Sequence, residues 1–206
     1  MFYLTEHLLN RNFTIQMPSQ DSHLSSPSSV VYHHDVIEFV QVAVQFCSHL
    51  EQAQTLNRNE LVDTLLKLMP LLYLKAQLLP TVESNGSFLP DDQVTEQDYE
   101  FVRQGIHDIL GSEDEYLDVA YDEMMQTDET RWKTISENLA DIYQPVRNFL
   151  ATYQQGVEDC MHDALWQVAD QFELYWGESL VDALRRLHRL HYAMRDDDPT
   201  NPSYEY

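Results

Sequence analysis

Apolar side chains in this chain return every three or four residues, over stretches long enough to favour helices and little else. Between residues 30 and 54, Tyr32, Val36, Phe39, Val40, Ala43, Cys47 and Leu50 fall at those steps, with Ile37, Val42 and Val44 widening the stripe. That period belongs to one face of an α-helix, whereas a half-buried strand alternates at every second residue. The spacing recurs at Leu61, Leu65, Leu68, Leu72, Ala76 and Leu79. It returns at Trp132, Ile135, Leu139, Ile142, Val146, Phe149, Leu150 and Tyr153, and again at Val157, Met161, Ala164, Leu165, Val168, Phe172 and Trp176. Glycine and proline number only 5 and 8 in 206 residues, too few for a fold built on tight turns. No stretch alternates as a strand does, and no segment repeats at the period of a solenoid. The expected fold is all-α, a bundle of five to six helices around one core, with no β-sheet.

Local signals divide the chain. Residues 1–29 are Ser-rich and read as a loose extension, residues 30–194 as the bundle, and residues 195–206 as an acidic mobile tail. Helices are expected over 30–54, 60–79, 95–110, 130–155, 157–176 and 178–193. Ser29 and Asn59 are candidate N-caps. Thr95-Glu96-Gln97-Asp98 has the shape of a capping box, and Gly111 is placed to end the helix that follows. Pro70 and Pro145 should bend their helices, and Gly177 either bends or splits the last long one.

Charge excludes whole classes of function. Lys and Arg total 12 against 35 Asp and Glu, a net charge of −23. Such a chain has no basic surface with which to release phosphate counterions, so no nucleic-acid partner is expected, and no membrane partner either. The most apolar run, residues 68–74, is interrupted by Pro70 and falls far short of a membrane span. Residues 1–16 lack the pattern of a secretory signal. Cys47 and Cys160 are too few for a thiolate zinc site and sit among apolar neighbours, so free thiols in a cytoplasmic protein are expected.

The acids are not spread evenly. Residues 81–129 hold 15 acidic residues and one base, Arg103, which is −14 of the net −23, while Arg185, Arg186, Arg189 and Arg195 crowd one helix end. The basic end either lies beside the acidic segment or leaves it free for a basic partner. The expected function is a non-catalytic interaction or regulatory module. Its recognition surface is Glu113, Asp114, Glu115, Tyr116, Asp118, Tyr121, Asp122 and Glu123, with exposed Tyr116, Tyr121, Met124 and Met125 as anchors. The expected partner is a basic protein or a second copy of the chain, and no cofactor is implied.

The opposing class is a metal- or nucleotide-dependent hydrolase. Bundles hold metals with inward carboxylates and Glu-x-x-His pairs. Glu158 and Asp159 precede His162, with Glu173 on the same flank of the stripe, but two facing pairs are missing. His34 and Glu38, one turn apart, point away from the core. Glu137-Asn138-Leu139-Ala140-Asp141 is similar to the Glu-Glu-x-x-Asp motif of all-α nucleotide pyrophosphohydrolases, whose carboxylates hold Mg²⁺. Asn138 replaces one of the acids, and Glu60-Leu61-Val62-Asp63 departs from the companion motif. Metal candidates are therefore Glu137, Asp141, Glu158, His162 and Glu173. Phosphate-cradling glycine loops and nucleophile elbows are absent from the sequence.

Three longer stretches carry a family likeness. Residues 66–76 read Leu-Lys-Leu-Met-Pro-Leu-Leu-Tyr-Leu-Lys-Ala and residues 136–143 read Ser-Glu-Asn-Leu-Ala-Asp-Ile-Tyr. Asp163-Ala164-Leu165-Trp166 precedes a run from Tyr175 to Arg185. With the first helix they resemble the bacterial domain of unknown function 5063 over residues 30–192. The resemblance implies an intracellular bacterial helical domain and carries no assigned activity.

Overall fold

A computed structural model describes residues 29–86, 92–122 and 127–196, with the side chains at 119–130 and 194–196 outside the described set. The expected extension and tail fall almost entirely outside those residues, as do Glu123, Met124 and Met125. The described chain runs α1 (His34–Glu51), α2 (Arg58–Gln77), α3 (Glu96–Leu110), β1 (Glu115–Asp122), β2 (Thr127–Thr134), α4 (Ile135–Tyr153), α5 (Glu158–Gln171), a π-helical turn (Phe172–Trp176) and α6 (Gly177–Asp196).

Most of each helical stripe folds inward as its spacing predicts, whereas Val157, just before α5, is exposed. Val36, Phe39, Val40, Ala43 and Phe46 of α1 are buried against Leu61, Leu65, Met69 and Leu72 of α2 and against Leu139, Ile142, Tyr143 and Val146 of α4. The most central helix is α4, which packs against α1, α3, α5 and α6. Phe39, Phe149 and Tyr153 form an aromatic file with centroids 5.4 and 5.5 Å apart. Among the described residues no helix is long and apolar enough to cross a membrane. Cys47 is buried, Cys160 is half-buried, and both are free.

Caps hold where the sequence is explicit. The Thr95 hydroxyl accepts from the Asp98 amide at 3.2 Å and the Asp98 carboxylate accepts from the Thr95 amide at 3.0 Å. Gly111 ends α3 at φ +58°, a conformation that disfavours a side chain. Asn57, not Asn59, caps α2, in a box with Glu60. A 3₁₀ turn at Val30–Tyr32 precedes α1, and Ser29 makes no side-chain cap. Pro70 and Pro145 lie inside α2 and α4, and both helices run on past them.

Two expectations need correction. The fold is not free of β-structure, because β1 and β2 form an antiparallel hairpin in register from Glu115↔Thr134 to Asp122↔Thr127. Trp132 therefore belongs to a strand and not to the stripe of α4, which begins at Ile135. Its start is marked by Thr134, whose hydroxyl accepts from the Glu137 amide at 3.1 Å. The second concerns residues 172–176, expected as the end of a regular α-helix, which form a π-helical turn between α5 and α6, and α6 starts at Gly177.

Candidate functional site

The hairpin is fastened to α6 by charge. Alternation along a strand sends Tyr116 and Asp118 to one face, with Lys133 opposite Tyr116 in the register. The Lys133 ammonium lies 3.0 Å from both Asp118 and Asp182, and Arg185 lies 3.1 Å from Asp118. Arg186 donates to the Leu117 carbonyl at 2.9 Å and sits 4.2 Å from the centroid of the Tyr116 ring. Burial works against the Asp118 charge, but Lys133 and Arg185 outweigh it and hold the carboxyl below its ordinary range. The basic end of the last helix thus meets the acidic segment within one molecule. Tyr116 is buried, and its hydroxyl accepts from the Asn138 amide at 2.6 Å. It is an internal anchor, which corrects its reading as an exposed one.

On the opposite face Leu117 and Trp132 stand side by side across the two strands. Leu117 is 45% exposed and Trp132 is 73% exposed. Helical spacing alone puts Trp132 on a core stripe and gives Leu117 no role. The signal that relocates Trp132 is Thr134-Ile135-Ser136-Glu137, a Ser/Thr-x-x-Glu helix start two residues downstream.

Asp114 also leaves the expected surface, because it is fully buried. Its carboxylate accepts from the Ser136 amide at 2.7 Å and the Ser136 hydroxyl at 2.6 Å, and lies 2.8 Å from Nδ1 of His107. Its carbonyl accepts from the Ile135 amide at 2.9 Å. The N-terminus of α4, where free amides and the helix dipole favour an anion, explains the placement. Ser, His and Asp meet here without forming a nucleophilic chain. Ser136 and His107 both bond to the acid, and a nucleophile would have to bond to the base. Glu113 and Glu115 are exposed, as expected.

The metal candidates do not gather. Glu137 is exposed on the first turn of α4. Asp141, one turn on, is half-buried and accepts from the Tyr99 hydroxyl at 2.8 Å. Glu158 and Glu173 are exposed, and His162 lies 4.0 Å from Asp163, which accepts from the Asn85 amide at 2.8 Å. No three of these candidates bring ligand atoms within 4.8 Å of one another. Among the described residues the group that does is His34, Asp35 and Glu38, on the first turn of α1, with His34 exposed and the two acids half-buried. There the helix dipole opposes a cation, and the Lys75 ammonium already bonds to Glu38.

Asp141 gives a pH test of this region. Burial raises its pKa, and the Tyr99 hydroxyl offsets that only in part. The folded state therefore disfavours the charged form. That cost is present above the folded pKa and disappears as the pH falls below the unfolded one. Asp141→Asn keeps the acceptor for Tyr99 and should raise the melting midpoint at pH 7 by about 2 °C, and by nearly nothing near pH 3. Calorimetry at the two pH values checks this.

The family described as a domain of unknown function, DUF5063, matches residues 30–193. The crystal structure of protein BF1032 from Bacteroides fragilis is 41% identical in sequence and superposes with a TM-score of 0.71. The match covers 80% of this chain and 96% of that one. No curated protein matches.

Proposed function

The chain belongs to the DUF5063 family, and from that premise we propose that it is a binding module whose recognition element is the β1–β2 hairpin. The observation that carries this reading is the pair Leu117 and Trp132. A tryptophan left 73% exposed beside a leucine, on a ribbon whose other face is clamped to α6, is costly to keep in water and well held for docking. Tryptophan is among the side chains enriched at the few positions that carry most of the binding energy of a protein interface. Exposed Glu113 and Glu115 lie close by in sequence, within the segment that holds most of the net negative charge. The partner that fits is a cytoplasmic protein with an apolar pocket for Trp132 and a basic rim. Charge would set its encounter rate, and the tryptophan would set its residence time.

The test is capture of partners from the native host with the wild-type chain and Trp132→Ala, followed by binding kinetics on the partner recovered. Trp132→Ala should weaken binding about thirtyfold, near 2 kcal/mol, while the melting midpoint stays within about 1 °C. Association should slow steeply between low and physiological salt. Equal binding by the variant, or association indifferent to salt, sinks the proposal.

A further inference from the structure

The outer face of α2 offers a surface that the hairpin does not involve. α2 lies between α1 and α6. On one flank Lys75 bonds to Glu38 of α1. On the other, Asp63 meets His191 of α6 at 2.9 Å, and the Tyr73 ring packs edge-on against Phe172 with centroids 5.1 Å apart. Leu61, Leu65, Met69, Leu72 and Ala76 face the core. By helical spacing the side turned away from the core and both flanks carries Lys67, Leu71, Leu74 and, just past the last turn, Leu78. These three leucines are 46%, 49% and 46% exposed. They stand at i, i+3 and i+7, one continuous apolar stripe where a bundle helix ordinarily shows charge.

The charge around the stripe is unusual for this molecule. Asp and Glu make up 35 of the 206 residues, yet none occurs from Thr64 to Val82, a run that includes Lys67 and Lys75. From Lys67 onward the leucine face of α2 carries no carboxylate, on a chain of net charge −23. It lacks the charge that would hold two copies apart.

We propose that this stripe is where a second copy of the chain packs. The pattern is self-complementary, as a two-fold interface requires. With two α2 helices antiparallel about an axis near Leu74, Leu71 of each meets Leu78 of the other and the two Leu74 side chains meet at the centre. Lys67 then falls opposite the start of the loop after the partner's α2, where Glu83 is the first acid. The Lys75–Glu38 pairs flank the axis with no net charge. Three half-exposed leucines a side make a contact smaller than the roughly 800 Å² per partner of a standard interface, so the dimer is weak and concentration-dependent. Each copy carries −23, so screening the repulsion strengthens it. That dependence on salt is opposite in sign to the one expected for the hairpin's partner, which keeps the two surfaces apart in experiment.

Sedimentation velocity on the full chain, from about 10 to 500 µM in about 0.05 and 0.5 M NaCl, reads this directly. The average mass should climb from 24.2 kDa towards twice that value, and further in high salt. Leu74→Glu should stay monomeric with an unchanged melting midpoint, and Trp132→Ala should associate like the wild type. Leu74→Cys in a Cys160→Ser background should form a disulfide-linked dimer on mild oxidation, because the two-fold axis brings that position against itself. A wild type that stays monomeric throughout, or a Leu74→Glu variant that associates as the wild type does, overturns the proposal. So does a monomeric wild type whose stripe is needed to hold a different protein.

Discussion

Replacing Asp114 by alanine is expected to cost the fold about 4 kcal/mol and to lower the melting midpoint by about 10 °C, the largest effect of any single change proposed for this chain. The side chain is fully buried and takes both the amide and the hydroxyl of Ser136, with His107 against its second oxygen. Alanine removes the acceptors, leaving the Ser136 amide buried without a partner and its hydroxyl with only the 3.3 Å contact to Thr134, which costs far more than the net worth of the bonds themselves. It also loosens the joint at which α3, the hairpin and α4 meet. Asp114→Asn retains one carbonyl acceptor and should cost about half as much. Chemical denaturation of the three proteins gives the order directly. A loss under about 1 kcal/mol for alanine would mean that water reaches the site and that the joint is held by packing alone.

Gly177→Ala should cost about 3 kcal/mol although it adds only one methyl group. A Cβ built there would lie 2.7 Å from the Phe172 carbonyl oxygen and 3.0 and 3.2 Å from atoms of the Phe172 ring. The carbonyl belongs to the π-helical turn and cannot retreat unless the turn changes. The ring is wedged against Trp176 at 4.5 Å between centroids and against Tyr73. Overpacking at a well-filled site costs about 1–3 kcal/mol, and the nearest obstacle here is main chain, which puts the loss at the upper end. Trp176, buried with its indole N–H donating to the Val168 carbonyl at 3.0 Å, supplies the reporter. Its fluorescence should shift together with the drop in midpoint. A variant as stable as the wild type would show that the turn relaxes without loss.

The sequence reading recovered what local spacing encodes. The helical stripes of α1, α2, α4 and α5, the Thr95 box and the Gly111 stop each depend on residues within a turn or two of one another. The hairpin was missed because its support is remote. Asp118 is held by Arg185 more than 60 positions away and Lys133 by Asp182, and neither strand shows clean alternation. Trp132 lies three residues before Ile135, in phase with the helix that follows, so periodicity alone placed it on the wrong element. The acidic neighbours of Asp114 and Tyr116 in sequence point to exposure, and the fold buries both. Burial here is set by the N-terminus of α4 for the one and by Asn138 and Arg186 for the other. The same remoteness hid the contact between Asp141 and Tyr99, 42 positions apart. The charge asymmetry was legible, and so was one consequence offered for it, the basic end of α6 lying on the acidic segment.

The π-helical turn at Phe172–Trp176 acts as an angular index between the two halves of the long final helical segment. One residue more than an α-turn needs rotates everything downstream by about 100° around the axis. With that residue, Arg185 and Arg186 point at the hairpin. Deleting a single residue from the turn would aim the arginines elsewhere, so the orientation of Trp132 in space is set by the residue count of a turn within the helical segment that clamps the hairpin.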